Sequence, residues 1–262
     1  MNTFYRLAMN PTKLLITCVL AISFVMTSKA NATIVEFQTS HGNLQVNLFD
    51  TTTPKTVENF LNYVNDLHYT NSVVHRVVPG FVIQGGGFTF TGNWPLTDIP
   101  ANAAIQNEPI YSNVKGTIAM AKLGSSKDSA TDQWFFNVAN NSSNLDLQNG
   151  GFTVFGQIIG DGMAVLDAIA ELGLCNNGNL QGIPMVNYSS EDCTNKTVPG
   201  IENFVVVEQI VIVDSSTATD ANLSPAKNTL INKEPENNDS SGGAIAWLIL
   251  CLLPITSRKR FK

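Results

Sequence analysis

The sequence predicts a mainly β domain in which an antiparallel sheet closes into a barrel capped by two α-helices. Three observations lead there. Short strand patterns of period 2 recur from residue 33 to residue 214, and only two stretches carry the apolar spacing of a helix. Closing such a sheet on itself also removes the edges that many short strands would leave open to other chains.

The elements follow in order. Ile34, Glu36 and Gln38 alternate with Val35, Phe37 and Thr39, His41-Gly42-Asn43 turns the chain, and Leu44 to Leu48 returns, which is a hairpin pattern. Thr53 then stands as a helix N-cap with Pro54 at the first helical position. Val57, Phe60, Leu61 and Val64 form one apolar stripe on a helix of about three turns. Strands are expected at Val73–Val78, Phe81–Gln84, Gly116–Met120, Trp134–Asn137 and Thr153–Ile158. Met163, Leu166, Ile169 and Ala170 mark a second helix after Asp161-Gly162, and Phe204–Val213 reads as a final long strand. No internal repeat interrupts this order.

The ends read as address signals. Of 262 residues, 44% are apolar and 14% charged. Two dense apolar runs at the ends inflate that apolar average. Arg6 and Lys13, an apolar stretch Leu14–Met26 and the small-residue site Ala30-Asn31-Ala32 make residues 1–32 a secretory signal, with cleavage after Ala32. At the other end Ser241-Gly242-Gly243 precedes an apolar run, Ala244–Ile255, and a basic tail, Arg258 to Lys262. Twelve residues make a helix of roughly 18 Å, short against a hydrocarbon core of about 30 Å. The order of Gly-Gly, apolar helix and basic tail resembles the sorting signals of Gram-negative envelope proteins. A plain membrane anchor through residues 244–255 is the alternative, and a GPI-type signal fits less well because such tails end apolar. Residues 215–241, rich in Ser, Thr, Asn and Asp, read as a flexible polar linker. The expected organisation is therefore signal 1–32, folded domain 33–214, linker 215–241 and C-terminal segment 242–262. The protein is expected to be exported to the periplasm or cell envelope of a Gram-negative bacterium.

Removing the ends changes the charge. Residues 33–241 hold all 21 acidic side chains and eight basic ones, a net charge of −13, which repels nucleic acid and anionic membranes. Cys175 and Cys193 are the two cysteines of this region and flank a loop rich in Asn, Gly and Ser. In an oxidising compartment they are expected to form a disulfide. Free thiols or metal ligation are the alternatives, although zinc would need two further ligands and no His lies near the loop.

No P-loop, dinucleotide-binding glycine fingerprint, HExxH pattern or Gly-x-Ser-x-Gly elbow occurs, and His41, His68 and His75 have no metal-like spacing. His75 reads most simply as a core histidine. Chemistry points instead to Val74-His75-Arg76-Val77-Val78-Pro79-Gly80-Phe81-Val82-Ile83-Gln84-Gly85-Gly86-Gly87-Phe88. Arg76 is one of the eight basic residues and sits in an apolar strand. Across a tight Pro79-Gly80 turn, Arg76 and Gln84 can reach one sheet face beside an aromatic. A buried arginine is either paired or used, so the alternatives are a salt bridge closing the end of the barrel and a functional site.

That stretch resembles the signature of the cyclophilins, the peptidyl-prolyl cis/trans isomerases. The resemblance runs from about Thr33 to Val213 and includes Gly116-Thr117-Ile118-Ala119-Met120-Ala121, Ser129–Asn137 and Val154-Phe155-Gly156. It implies an eight-stranded closed barrel and an isomerase that needs no metal or cofactor. Arg76 matches the catalytic arginine. Phe81, Val82, Phe135 and Leu145 match the wall of the pocket for the substrate proline. Gln84 and the Ala121 backbone match contacts to the peptide main chain, Gln133 a polar rim position, and Phe152 a site where the family often has His or Tyr. Val82 replaces a Met, and Asn144 stands near the place of a Trp in the drug-binding eukaryotic members, so cyclosporin binding is expected to be weak. The implied partners are proline-containing segments of exported proteins. The alternative on the same fold is a non-catalytic module that binds proline peptides or another envelope protein.

Overall fold

The structure, a computed structural model, describes residues 33–216 and 223–231. The expected signal 1–32 and the C-terminal segment 242–262 lie outside the described residues. Thirteen strands and four α-helices follow one another along the described chain. The strands are β1 (Ile34–Thr39), β2 (Leu44–Leu48), β3 (Ser72–Val73), β4 (Arg76–Val78), β5 (Val82–Gly85), β6 (Phe88–Thr89), β7 (Thr97–Asp98), β8 (Thr117–Met120), β9 (Trp134–Asn137), β10 (Val154–Ile159), β11 (Gly173–Asn177), β12 (Leu180–Met185) and β13 (Val206–Asp214). The helices are α1 (Pro54–Asn65), α2 (Ser142–Leu145), α3 (Gly162–Ala170) and α4 (Ser190–Asn195).

Eleven strands form one sheet in the order β4-β5-β9-β8-β10-β2-β1-β13-β3-β6-β7, and β11 and β12 make a separate hairpin. The expected closed eight-stranded barrel is thus corrected to a curled half-barrel whose end strands, β4 and β7, are not paired with each other. The expected strand Val73–Val78 is in fact two. Val74 N donates to Val205 O on one side, and His75 N donates to Gln84 O on the other. One stretch of chain therefore changes partners between its second and third residues and joins β3, near one end of the sheet, directly to β4 at the other. Strands of two residues, such as β3, β6 and β7, have no period to read, which is why the sequence undercounts them. The exposed edge of β4 is covered by β12. At Gly182 (φ +74°) the two backbones come so close that a Cβ would lie 2.6 Å from Val77 O.

The two helices expected from apolar spacing are present as α1 and α3, and the short α2 and α4 add to them. In α1 the stripe Val57, Phe60 and Val64 is buried, together with Thr56 and Tyr63. Thr53 occupies the N-cap position without capping, and its hydroxyl donates to Phe49 O instead. The free N–H of Thr56 donates to the Glu108 carboxylate at 2.9 Å, so the anion that serves the helix start comes from a distant loop.

Sheet alternation produces two apolar faces. Val77, Ile83, Phe136 and Ile118 point to the inner face and join Phe37, Phe60 and Trp134 in the main core. Their neighbours point outward and build the site described below. Cys175 on β11 and Cys193 on α4 form a disulfide, with Cα atoms 5.7 Å apart. Beyond β13, within the stretch expected as a linker, residues 223–231 lie against the domain: Ser112 N donates to Ala226 O and Asn228 N donates to Ile110 O.

Candidate active site

The outer face carries a row set by strand register. Arg76 on β4 stands opposite Gln84 on β5, Gln84 opposite Phe135 on β9, and Phe135 opposite Ala119 on β8. Residues aligned in this way share one face of the sheet. A second row pairs Val78 with Val82. The turn between β4 and β5 needs Gly80 at φ +67° and is closed by Phe81 N donating to Val78 O. The chain returns at once, and Phe81 is left at the mouth of the face.

The polar part is a short relay. Arg76 Nη1 donates to Gln84 Oε1 at 3.5 Å, and Gln84 Nε2 donates to Gln133 Oε1 at 2.9 Å. Gln84 and Gln133 are both buried. Gly87 makes room for this arrangement, because a Cβ there would meet the Gln133 side chain at 2.4 Å. Burial lowers the pKa of Arg76, but a guanidinium stays charged in proteins. Among the described residues no carboxylate forms a salt bridge with it. The salt-bridge alternative therefore has no acidic partner, and the donors of Arg76 remain available. His75 lies in the core as expected, with its ring 4.6 Å from that of Phe88. Its pKa is pushed down to about 3, first by burial and then by the charge of Arg76. It stays neutral and adds nothing to the charge of the site.

Below the relay lies an apolar basin. Val82, Ala121, Phe135, Leu145 and Phe152 belong to one buried cluster, with Phe81 partly exposed against it. Phe135 and Phe152 meet edge to face at 5.7 Å. Leu145 comes from α2, and Phe152 from the turn after it, where Phe152 N donates to Leu145 O. Ala121 N donates to Gln133 O, which ties the strand below the basin to its polar rim. The nine predicted site residues are thereby brought to one face. A cationic donor thus shares its sheet face with an apolar, aromatic-containing cluster. Such a site can bind and polarise a substrate but offers no nucleophile. Among the described residues no group of three or more His, Cys, Asp or Glu is placed to hold a metal ion.

Lys122 is the residue that sequence reading misses. It is buried, and its ammonium donates to Gly151 O at 2.6 Å and to Asn149 O at 2.7 Å. It also lies 4.9 Å from the centroid of the Phe152 ring. Burial lowers its pKa to about 8. The available signal was its rarity, since it is one of eight basic residues and directly follows Ala121.

Residues 34–190 match the family model described as cyclophilin type peptidyl-prolyl cis-trans isomerase/CLD. Peptidyl-prolyl cis-trans isomerase A of Dickeya dadantii (strain 3937) is 41% identical over 155 residues, covering 58% of this chain and 79% of that protein. Peptidyl-prolyl cis-trans isomerase B of Escherichia coli (strain K12) is 37% identical over 164 residues, covering 61% and 98%. A solved cyclophilin type peptidyl-prolyl cis-trans isomerase of Cryptosporidium parvum covers 70% of this chain and 99% of its own at TM-score 0.50. At 22% identity it shows a likeness of fold.

Proposed function

The chain belongs to the cyclophilin-type peptidyl-prolyl cis-trans isomerases, and on that premise we propose that Arg76 is its catalytic residue and that its substrates are exported proteins. Rotation about an X–Pro bond faces a barrier of about 18–20 kcal/mol, because amide resonance is lost in the twisted state. The uncatalysed change takes tens to hundreds of seconds, so turnover at about 10–1000 per second requires about 4–7 kcal/mol of transition-state stabilisation. Twisting gives the proline nitrogen a lone pair. A guanidinium aimed at that nitrogen strengthens its hydrogen bond only in the twisted state, which is the differential binding that accelerates a reaction.

Phe81, Val82, Phe135, Leu145 and Phe152 hold the proline ring, while Gln84, Gln133 and the Ala121 backbone hold the peptide beside it. Gln84 has a second task, since its amide oxygen orients Arg76. Among the described residues Arg76 has no acidic partner and shares its sheet face with an apolar cluster, and this is the observation that carries the assignment. An assay on a short X-Pro peptide tests it: Arg76→Ala should lose about 10²–10³-fold in kcat/KM. Equal rates for parent and variant would remove Arg76 from the chemistry.

Export is supported by the signal-like residues 1–32, by the Gly-Gly, apolar and basic order of residues 242–262, and by the disulfide. The protein then works in the periplasm or envelope of a Gram-negative bacterium, tethered through residues 244–255 or released after processing. Mass spectrometry of the mature chain separates these outcomes, with Thr33 as the first residue in both. Release ends the chain near Gly242 and a tether keeps Lys262. Weak cyclosporin binding follows from Asn144 and Val82, and Asn144→Trp should tighten it.

A further inference from the structure

We infer that residues 223–231 form a strap that positions the pocket wall, so that the catalytic unit extends past β13 to Ile231, with Asn228 and Leu223 as positioning residues. This rests on the reading of the basin as the proline site. Asn228 is the pin. Its N–H donates to Ile110 O, its Nδ2 donates to Asp146 O at 3.0 Å, and its Oδ1 accepts from Leu230 N and Ile231 N. Asp146 directly follows Leu145, and its buried carboxylate accepts from Ser112 Oγ and from Asn113 N. Ser112 Oγ also reaches Lys227 O at 3.2 Å. The strap, the chain at 110–113 and the turn after α2 are therefore one hydrogen-bonded unit. At its other end Leu223 packs on the cluster that contains Val82, Phe135, Leu145 and Phe152.

Two facts distinguish a brace from a plug. Among the described residues no hydrogen bond joins the strap to Arg76, Gln84 or Gln133, so the polar relay stays open. Every side-chain bond of the strap to the rest of the domain goes instead to the wall and the chain behind it. A turn such as 146–151, which carries three residues with positive φ, Asn149, Gly150 and Gly151, has little ladder of its own to hold it.

The test uses the full chain with Asn228→Ala, Asn228→Asp, Leu223→Ala and the exposed control Thr229→Ala. Asn228→Asp keeps the acceptor for Leu230 and Ile231 but cannot donate to Asp146 O. Each of the first three should raise KM for an X-Pro peptide by about five-fold, from a lost hydrogen bond at Asn228 or lost apolar contact at Leu223, with kcat nearly unchanged. Amide hydrogen exchange should quicken across residues 142–152 in these variants and stay at the parent rate in Thr229→Ala. A fall in KM would mean that the strap occupies the pocket, and this overturns the brace. Unchanged KM with unchanged exchange overturns it too. If the parent chain shows no isomerase activity, the proposed function fails, and the exchange measurement alone decides the strap.

Discussion

The ammonium of Lys122 lies 4.9 Å from the centre of the Phe152 ring and at the same time donates to the carbonyls of Asn149 and Gly151. One buried cation thus holds both the turn that follows α2 and the aromatic wall that the turn delivers. With a pKa of about 8 it is charged at neutral pH. Lys122→Met keeps the apolar stem but takes the donor from Asn149 O, while Gly151 O keeps only its bond from Asn107 Nδ2. It should cost about 1.5–3 kcal/mol in urea unfolding, and KM for an X-Pro peptide should rise more than kcat falls. Unchanged stability and KM would show that water replaces the ammonium.

His75 makes the fold acid-sensitive. Its folded pKa, about 3, lies below the ordinary 6.5, so between these values the unfolded chain binds a proton that the folded one does not. Stability is then fully present above about pH 6.5 and falls as the pH drops towards 3, by up to about 1.4 kcal/mol per pH unit. Denaturation midpoints measured across this window should fall less steeply in His75→Gln.

Gly87 leaves the space that Gln133 fills. In Gly87→Ala the new methyl would displace the Gln133 amide and break its bond to Gln84. The expected result is a rise of about five-fold in KM, from the loss of one hydrogen bond at the rim, with Arg76 and kcat largely retained. Peptide titration and steady-state kinetics on the same sample separate the two constants.

The disulfide closes a loop of 18 residues between β11 and α4. In the chain-entropy picture this is worth about 3 kcal/mol. Reductant, or Cys193→Ser, should lower Tm by about 6–12 °C, read by calorimetry. No change in Tm would mean that the hairpin and α4 are held by their packing alone.

Much of the site was legible because it is local. Arg76, the Pro79-Gly80 turn, Phe81 and Gln84 lie within nine residues, and strand alternation with a tight hairpin is enough to put Arg76 and Gln84 on one face. The α1 and α3 stripes were readable for the same reason. Leu145 and Phe152 required the resemblance, since no period runs through the turn between them. The half-barrel order was hidden by strands of two residues and by a chain that switches partners at Val74 and His75.

The sequence by itself determined the first hairpin, the helices α1 and α3, the arginine and glutamine that face each other, and the family to which the chain belongs. These depend on near neighbours and on spacing that repeats. Only the tertiary structure decided that Glu108 serves the start of α1 from 52 residues away, that Lys122 cradles the turn at 149–151, and that Asn228 reaches Asp146 across 82 residues. Each of these satisfies polar groups with partners that only folding brings within reach. Such pairings are set by the need to satisfy buried donors and acceptors, and no local pattern encodes them.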